Sequence, residues 1–278
     1  MVQQVKRRSN GRLFSQMRTI TLSSGIYSYA PGSILFEQGE TKVLCTVSIM
    51  QGVPHFLRGK KEGWLTAEYA LLPHATQVRT ARESVQGQRT GRSIEISRLI
   101  GRALRTIVNV TSIGEQTIYV DCDVLKADGG TRAAAITAAC LALEQAQAYW
   151  LAKGIIATPI IAQRIAGISV GICKDTILVD PDYAEDSTID ADFNIIMTES
   201  GQLIEMQGGA EKKPISWELF QAVQNSARTT VQELFAYLKD NAPAIVENVS
   251  AQYTHKKEEK VPLFSLRNRL LAQAHEEK

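Results

Sequence analysis

The sequence predicts an α+β fold in which mixed β-sheets pack against helices. The chain contains two successive rounds of the same pattern. In each round, several segments with alternating apolar and polar residues are followed by a long segment with a helical period. It lacks the regular exchange of one strand with one helix that is typical of a doubly wound parallel sheet. With 44% hydrophobic and 22% charged residues in 278 residues, the composition is that of a globular protein. This excludes disordered, collagenous and coiled-coil chains.

The first round of elements follows a basic arm, residues 1–16, which we expect to be mobile. Alternating apolar residues predict strands at 17–22, 25–30, 33–37 and 41–49, with a turn at 38–40. Residues 51–90 show no sustained period, and long irregular segments of this kind are usually functional or mobile. Next come a helix with a 3.6-residue period, a strand and an alanine-rich helix, at 94–107, 116–124 and 131–153.

The second round contains four strands and a final helix, at 165–173, 176–179, 192–198, 203–207 and 216–239. We therefore predict one domain, residues 17–242, made of two halves at about 17–158 and 159–242. Residues 243–278 read as a charged linker and a short amphipathic helix, with a disordered tail as the alternative.

Charge is distributed unevenly along the chain, although the formal net charge is only +2. Residues 58–105 contain ten Lys and Arg against four Glu, a net charge of +6. Residues 175–211 contain ten Asp and Glu and no Lys or Arg, a net charge of −10. A basic stretch suits a polyanion and an acidic stretch suits a divalent metal. The alternative is that both are solvated faces or neutralise each other in the fold.

A phosphate-binding motif is suggested by Asp128-Gly129-Gly130-Thr131-Arg132, which joins a strand to the start of a helix. The glycines allow a tight turn and a close backbone approach, and a helix start presents unpaired N–H groups to an anion. Arg132 can bind two phosphate oxygens at once. A Gly-Gly turn that serves only the fold is the alternative, and no nucleotide-binding glycine motif is present.

Two carboxylates in the acidic stretch, Asp186 and Asp192, form a candidate Mg²⁺ site. In one straight strand they would lie about 20 Å apart, so a bend near Ser187 is required to bring them together. A solvated acidic turn is the alternative reading.

Arginines at irregular positions and helix starts suit phosphate binding, and Arg79, Arg82 and Arg92 have such positions. No Ser-His-Asp or Cys-His set stands out. The four cysteines lack metal-binding spacing, and we interpret them as reduced core thiols of a cytoplasmic protein. The longest nearly apolar run, 133–143, is too short to span a bilayer.

Several longer motifs resemble the bacterial ribonuclease PH family, also called tRNA nucleotidyltransferases. They are Gly32-Ser33-Ile34-Leu35-Phe36-Glu37 with Thr41-Lys42-Val43-Leu44-Cys45-Thr46, Gly63-Trp64-Leu65-Thr66-Ala67-Glu68-Tyr69, the run from Asp121 to Arg132, and the stretch from Glu185 to Gly208. The resemblance covers roughly residues 8–240, in order and with few gaps.

The resemblance implies a ribosomal-protein-S5-domain-2-like α+β fold and a phosphate-dependent 3′→5′ exoribonuclease. Such an enzyme trims nucleotides beyond the CCA end of tRNA precursors, releases nucleoside diphosphates, and forms a hexameric ring built as a trimer of dimers. By position, it implies phosphate binding by Arg92, Gly130, Thr131 and Arg132, and catalysis with Mg²⁺ by Asp186 and Asp192. It also implies contacts to tRNA from Arg79 and Arg82, and we add Arg58 from the basic stretch.

The chain departs from the family pattern at His74, where arginine is usual, and at Gly209 and Lys212. A catalytically silent, RNA-binding ring subunit is the alternative function, although such a subunit should have lost one of Arg92, Arg132, Asp186 or Asp192. A hydrolytic metal-dependent nuclease is a third possibility, and it would leave the Gly-Gly-Thr-Arg motif unexplained.

Overall fold

The structure is a computed structural model that describes residues 8–242. Its strands are β1 (Ile20–Ser24), β2 (Gly32–Gln38), β3 (Thr41–Gln51), β4 (Trp64–Leu71), β5 (Gln116–Lys126), β6 (Ile165–Cys173), β7 (Thr176–Val179), β8 (Ala191–Thr198) and β9 (Leu203–Ala210). Its α-helices are α1 (Glu83–Gln86), α2 (Gly91–Arg105), α3 (Thr131–Ala152), α4 (Tyr183–Asp186) and α5 (Trp217–Asn241). Short 3-10 turns lie at His55–Leu57 and Val110–Ile113.

Five strands form the first sheet, in the order β1-β2-β3-β5-β4. All neighbours are antiparallel except β4 and β5, which run parallel. The second sheet is antiparallel with the order β7-β6-β8-β9. The predicted layered α+β architecture is therefore observed.

Helix α3 packs against strands of both sheets, and α5 packs against β6, β7 and β8 of the second sheet. The sequence of α3 explains its central position, because alanines and other apolar residues surround the helix and 15 of its 22 residues are buried. Strand β6 is buried along nearly its whole length, since helices cover both of its faces. Helix α2 packs against β4 at the edge of the first sheet.

Two sequence expectations for the first half are wrong. Residues 25–30, predicted as a strand, form turns in which Tyr27 donates its N–H to the Ser33 hydroxyl and Ala30 donates to the Tyr27 carbonyl. The segment 51–90 contains a complete strand, β4, which the prediction overlooked. Leu65, Ala67 and Tyr69 face the core and alternate with Thr66 and Glu68, but this short alternation lies within irregular sequence that is rich in Gly, Arg and Gln.

The described part of the basic arm is held firmly against the second half, contrary to the mobility expected for it. Arg8 is 6% exposed, and both Arg8 and Arg12 contact a carboxylate oxygen of Glu185 at 3.0 Å. The Phe14 carbonyl accepts a hydrogen bond of 2.9 Å from the Val179 N–H. Basic residues that would repel each other in isolation are ordered here by the acidic stretch after β7.

Within residues 8–242, no helix combines the length and the apolar character needed to cross a membrane. The predicted linker and amphipathic helix, 243–278, lie outside the described residues.

Candidate active site

A cleft of about 620 Å³ lies between the two halves of the chain. Its walls come from five segments: the end of β4, the residues at 76–83, the start of α2, the loop between β5 and α3, and helix α4. Four of the predicted site residues line it, namely Arg92, Gly130, Thr131 and Asp186. Residues from both charged stretches of the sequence therefore meet in one cavity.

The loop before α3 has the geometry of an anion site. Gly129 and Gly130 have φ angles of +78° and +65°, which favour glycine. A Cβ atom on Gly129 would lie 2.5 Å from the Pro181 carbonyl oxygen, so the loop also needs glycine for space. Gly130 is the N-cap of α3 and supplies no side-chain cap, whereas Thr90 caps α2 and Ser216 caps α5. The start of α3 therefore keeps N–H groups available for an anion.

Arg92 is placed by a network at the start of α2. The Thr90 hydroxyl accepts a hydrogen bond from the Ser93 N–H at 3.2 Å. The Glu83 carboxylate accepts from the Thr90 hydroxyl and from the Ser93 hydroxyl, each at 2.6 Å. Burial opposes the ionised form of Glu83, but these hydrogen bonds outweigh it and lower the pKa of Glu83. The first turn of α2 is thus anchored, and Arg92 extends from it into the cleft.

Asp186 and Asp192 come together because the chain bends between them, as predicted. Helix α4 is a single turn with a capping box formed by Asp182 and Glu185, and β8 begins at Ala191. The pKa of Asp186 is raised by burial first and then by repulsion from Asp192 and Glu211. Arg92 and Arg132 act in the opposite direction on the same carboxyl. The charges of Asp192, Arg92 and Arg132 therefore all act on the carboxyl of Asp186.

Asp192 is held by neighbours on the second sheet. Asn194 donates to its carboxylate at 3.2 Å and accepts from the Ser169 hydroxyl at 2.7 Å. Asp192 lies opposite Gly209 of β9, so one of the three departures from the family pattern is next to a predicted catalytic carboxylate. A second departure, Lys212, donates to the Thr188 carbonyl at 2.6 Å, in the turn between α4 and β8.

Arg132 follows the cleft residue Thr131 and forms an ion pair of 3.6 Å with Glu95 of α2, but it is not itself among the residues that line the cleft. Its neighbour Thr131 accepts a hydrogen bond of 2.9 Å from the hydroxyl of Tyr69, which is 1% exposed. Burial raises the pKa of Tyr69, while Thr131 and the nearby Arg92 oppose this rise. This hydrogen bond therefore connects β4 to the first residue of α3.

A buried ion pair that the sequence analysis did not identify fixes the loop before α3. Arg18, just before β1, contacts Asp180, just after β7, through Nε at 2.9 Å and Nη2 at 2.6 Å. The same guanidinium donates to the carbonyl oxygens of Asp128 and Gly129. The Thr41 hydroxyl donates to the Gly129 carbonyl at 2.7 Å. The only sequence signals are isolated charges at strand ends, which are too common to identify such a pair.

The predicted RNA-binding arginines separate into two places. Arg79 and Arg82 belong to the loop at 76–83, whose residues Val78, Thr80 and Ala81 line the cleft. The exposed His74 precedes the same loop. Arg58 follows the 3-10 turn at His55–Leu57, near the start of β4, whereas the cleft is reached at the other end of that strand. The structure does not bring Arg58 together with the other two.

The two carboxylates fit a Mg²⁺ ion in their chemistry. They are hard oxygen ligands, and their mutual repulsion would be relieved by a cation between them. Among residues 8–242, no three side chains of His, Cys, Asp or Glu are grouped so that they could hold a metal. A Mg²⁺ ion here would therefore be completed by water and by phosphate oxygens, as is usual for this ion.

Models of a 3′ exoribonuclease family match most of the chain. The model of domain 1 matches residues 16–148, and the model of domain 2 matches residues 163–229. The first match ends within α3 and the second begins just before β6, so each domain contributes one sheet.

Solved structures with the same fold include subunits of exosomes. One is an Archaeoglobus fulgidus exosome with RNA bound to the active site, at 21% identity and a TM-score of 0.71, where the match covers 84% of this chain and 93% of that chain. An archaeal exosome core has 21% identity and a TM-score of 0.66, with 84% and 91% covered. Rice (Oryza sativa) Rrp46 has 18% identity and a TM-score of 0.66, with 86% and 100% covered. These matches confirm the predicted ribonuclease PH fold.

Proposed function

Because this chain belongs to the 3′ exoribonuclease family and contains both of its domains, we propose that it shortens RNA from the 3′ end by phosphorolysis. The observation that carries the proposal is the open start of α3, which lies beside Arg92 and faces Asp186 across one cleft. Cationic and N–H groups can hold a phosphate ion at the position from which it would attack, close to carboxylates that suit a metal. Hydrolysis, in which water attacks, would not require a second phosphate to be bound beside the scissile one.

In the proposed reaction, an oxygen of inorganic phosphate attacks the phosphorus of the last phosphodiester bond. The bond from that phosphorus to the 3′ oxygen of the preceding nucleotide breaks, and the 3′ oxygen takes up a proton. The products are a nucleoside 5′-diphosphate and an RNA that is shorter by one nucleotide. No activated serine or cysteine is required, because the bound phosphate is the nucleophile.

The side chains contribute mainly by position and charge. Arg92, Arg132 and the N–H groups at Gly130 and Thr131 would hold the attacking phosphate and offset its repulsion from the RNA phosphodiester. Asp186 and Asp192 would hold Mg²⁺, which when bound supplies charge stabilisation to the reacting phosphoryl oxygens. Burial and the neighbouring carboxylates raise the pKa of Asp186, which means that its ionised form is disfavoured. A bound cation should favour the ionised carboxylate and be stabilised by it in return.

We further propose tRNA precursors as the substrate, trimmed beyond the CCA end in the cytoplasm, with Arg79 and Arg82 contacting the RNA. The position of both arginines on the loop that lines the cleft supports this role. We also propose that the protein works as a homohexamer, a trimer of dimers. The presence of the same fold in an exosome and in an exosome core supports an assembled state.

The test is to incubate a 3′-extended tRNA with the protein and Mg²⁺, with and without inorganic phosphate, and to identify the mononucleotide products. We expect nucleoside diphosphates only when phosphate is present. Nucleoside monophosphates in both reactions would mean hydrolysis, and the absence of products together with RNA binding would favour a silent ring subunit.

Two variants connect the reaction to the cleft. Arg132→Ala and Asp192→Ala should each abolish phosphorolysis while the circular dichroism spectrum stays unchanged. Arg228→Ala and Asp240→Ala change the same residue types on exposed positions of α5 and serve as matched controls. Activity that survives in both cleft variants would contradict the site assignment.

A further inference from the structure

A cluster of aromatic and basic side chains lies at the start of β4, far from the cleft. Phe56 is 57% exposed, and its ring meets that of Trp64 edge to face with centroids 5.3 Å apart. The guanidinium of Arg105 lies over the Trp64 ring, 4.5 Å from its centroid. We call Phe56, Trp64, Arg105 and the loop between Arg58 and Lys61 the aromatic platform.

The platform is fixed in place rather than loosely exposed. Arg105 donates to the Leu65 carbonyl at 2.9 Å, which ties the end of α2 to the edge of the first sheet. The Glu115 carboxylate accepts from the Gly59 N–H at 2.6 Å and from the Lys61 N–H at 3.4 Å. Packing of Leu57 into the interior anchors the turn that carries Phe56. An exposed aromatic ring on a rigid support loses little freedom on binding.

Three cations lie in the loop that follows the exposed ring. Arg58, Lys60 and Lys61 are all exposed, and none of them forms an ion pair with another described residue. The acidic groups nearby are Glu62, and Glu115 with its bonds to the loop N–H groups. An exposed ring beside unpaired cations is suited to a polyanion with flat apolar groups, which describes single-stranded RNA.

The distance from the cleft can be derived from two elements that run between the two places. Strand β4 extends from Trp64 to Leu71, which lines the cleft, and the steps between these two residues, at about 3.3 Å each, give a span of about 23 Å. Helix α2 runs back from Gly91 to Arg105, and the steps between these two residues, at about 1.5 Å each, give a span of about 21 Å. A strand stacked at about 3.4 Å per nucleotide would cover this distance with about seven nucleotides.

We propose that the aromatic platform is a second contact site for single-stranded RNA, where Phe56 stacks on a base about seven nucleotides from the 3′ end and Arg58, Lys60 and Lys61 contact phosphates. The proposal rests on the proposed function, because it places the 3′ end in the cleft. It predicts that the protein distinguishes long single-stranded 3′ ends from short ones through a group that takes no part in the reaction.

The test compares binding of a four-nucleotide and a twenty-nucleotide RNA, by fluorescence anisotropy in phosphate-free buffer. Phe56→Ala should weaken binding of the twenty-nucleotide RNA about 5- to 100-fold, the usual effect of removing one stacking aromatic, and leave the four-nucleotide RNA unchanged. Phe56→Trp should retain the binding. Tyr29→Ala, at a tyrosine that is 97% exposed in the turn after β1, is the matched control and should have no effect.

Equal weakening for both RNAs, or none, would overturn the proposal, and so would a change in assembly state of Phe56→Ala in sedimentation. The binding measurement does not depend on turnover. If the wild-type protein releases no nucleoside diphosphates but Phe56→Ala still loses only the long RNA, the proposed reaction fails and the platform stands as an RNA site. If phosphorolysis is observed and Phe56→Ala binds both RNAs like wild type, only the platform is wrong.

Discussion

Replacing Asp180 with Asn removes the charge opposite the Arg18 guanidinium and keeps the size of the side chain. Asp180 is 1% exposed and accepts three hydrogen bonds from Arg18, two from the guanidinium and one of 2.7 Å from the backbone N–H. Loss of one partner from a buried ion pair usually costs about 3–5 kcal/mol, because the other charge stays buried.

The expected loss lies at the lower end of that range. Arg18 keeps the carbonyl oxygens of Asp128 and Gly129 as acceptors, and the amide oxygen introduced at position 180 can still accept one bond. We therefore expect Asp180→Asn to lower the free energy of unfolding by about 3 kcal/mol, which is about a hundredfold in the folding equilibrium. The KM for phosphate should rise as well, because the same guanidinium orients the loop before α3.

Urea unfolding followed by circular dichroism at fixed protein concentration measures the stability change, and initial rates at varied phosphate measure KM. Asp175→Asn is the control, because Asp175 has a side chain that is 75% exposed and pairs with Lys213, so its loss should cost less than about 1 kcal/mol. Arg18→Met combined with Asp180→Asn should cost less than the sum of the two single variants. A loss below about 1 kcal/mol for Asp180→Asn, or strict additivity, would refute the reasoning.

Three further predictions concern the cleft. Gly130→Ala should destabilise the fold by about 1–2 kcal/mol in urea unfolding, because position 130 has a positive φ. The same variant should raise the KM for phosphate, and an unchanged KM would contradict the role of the loop. Asp186→Asn should abolish turnover yet raise the melting temperature at neutral pH. The pKa of Asp186 is raised in the folded state, so its ionisation lowers stability as pH rises from the unfolded pKa through the folded one, and the stabilisation should vanish in acid. RNA affinity should fall steeply with added salt if residues 58–105 contact the backbone, and a flat response in anisotropy measurements would count against that contact.

Much of the fold could be predicted because the apolar period is strong wherever an element is buried on one face. The predicted bounds of β6 and β7 agree with the structure, and the long helices α3 and α5 end within a few residues of their predicted ends. Strand β4 was missed because its alternation is short and the surrounding residues, 51–90, are dominated by Gly, Arg and Gln without a sustained period. The false strand at 25–30 shows the converse, since apolar residues in a turn can alternate without pairing.

The candidate site was predicted only in part. Gly130 and Arg132 belong to one short motif, and the bend between Asp186 and Asp192 follows from the distance they would otherwise have. Arg18 and Asp180 could not be found from the sequence, because they are 162 positions apart and neither belongs to a local pattern. Only the packing of the two halves shows that the two charges form an ion pair next to the loop before α3. The hydrogen bond from the Tyr69 hydroxyl to Thr131 could not be predicted either, because the two residues are 62 positions apart.

The buried pair also sets an order of events during synthesis. The glycine loop leaves the ribosome before Asp180 does, and the Arg18 side chain that holds the loop has no buried counter-charge until Asp180 arrives. A nascent chain that ends within the first half therefore has the glycine loop without the support that shapes it. Under the proposed function, competence to degrade RNA would be delayed until the second half has folded against the first, so that an unfinished chain would be kept from acting on the transcripts that surround it.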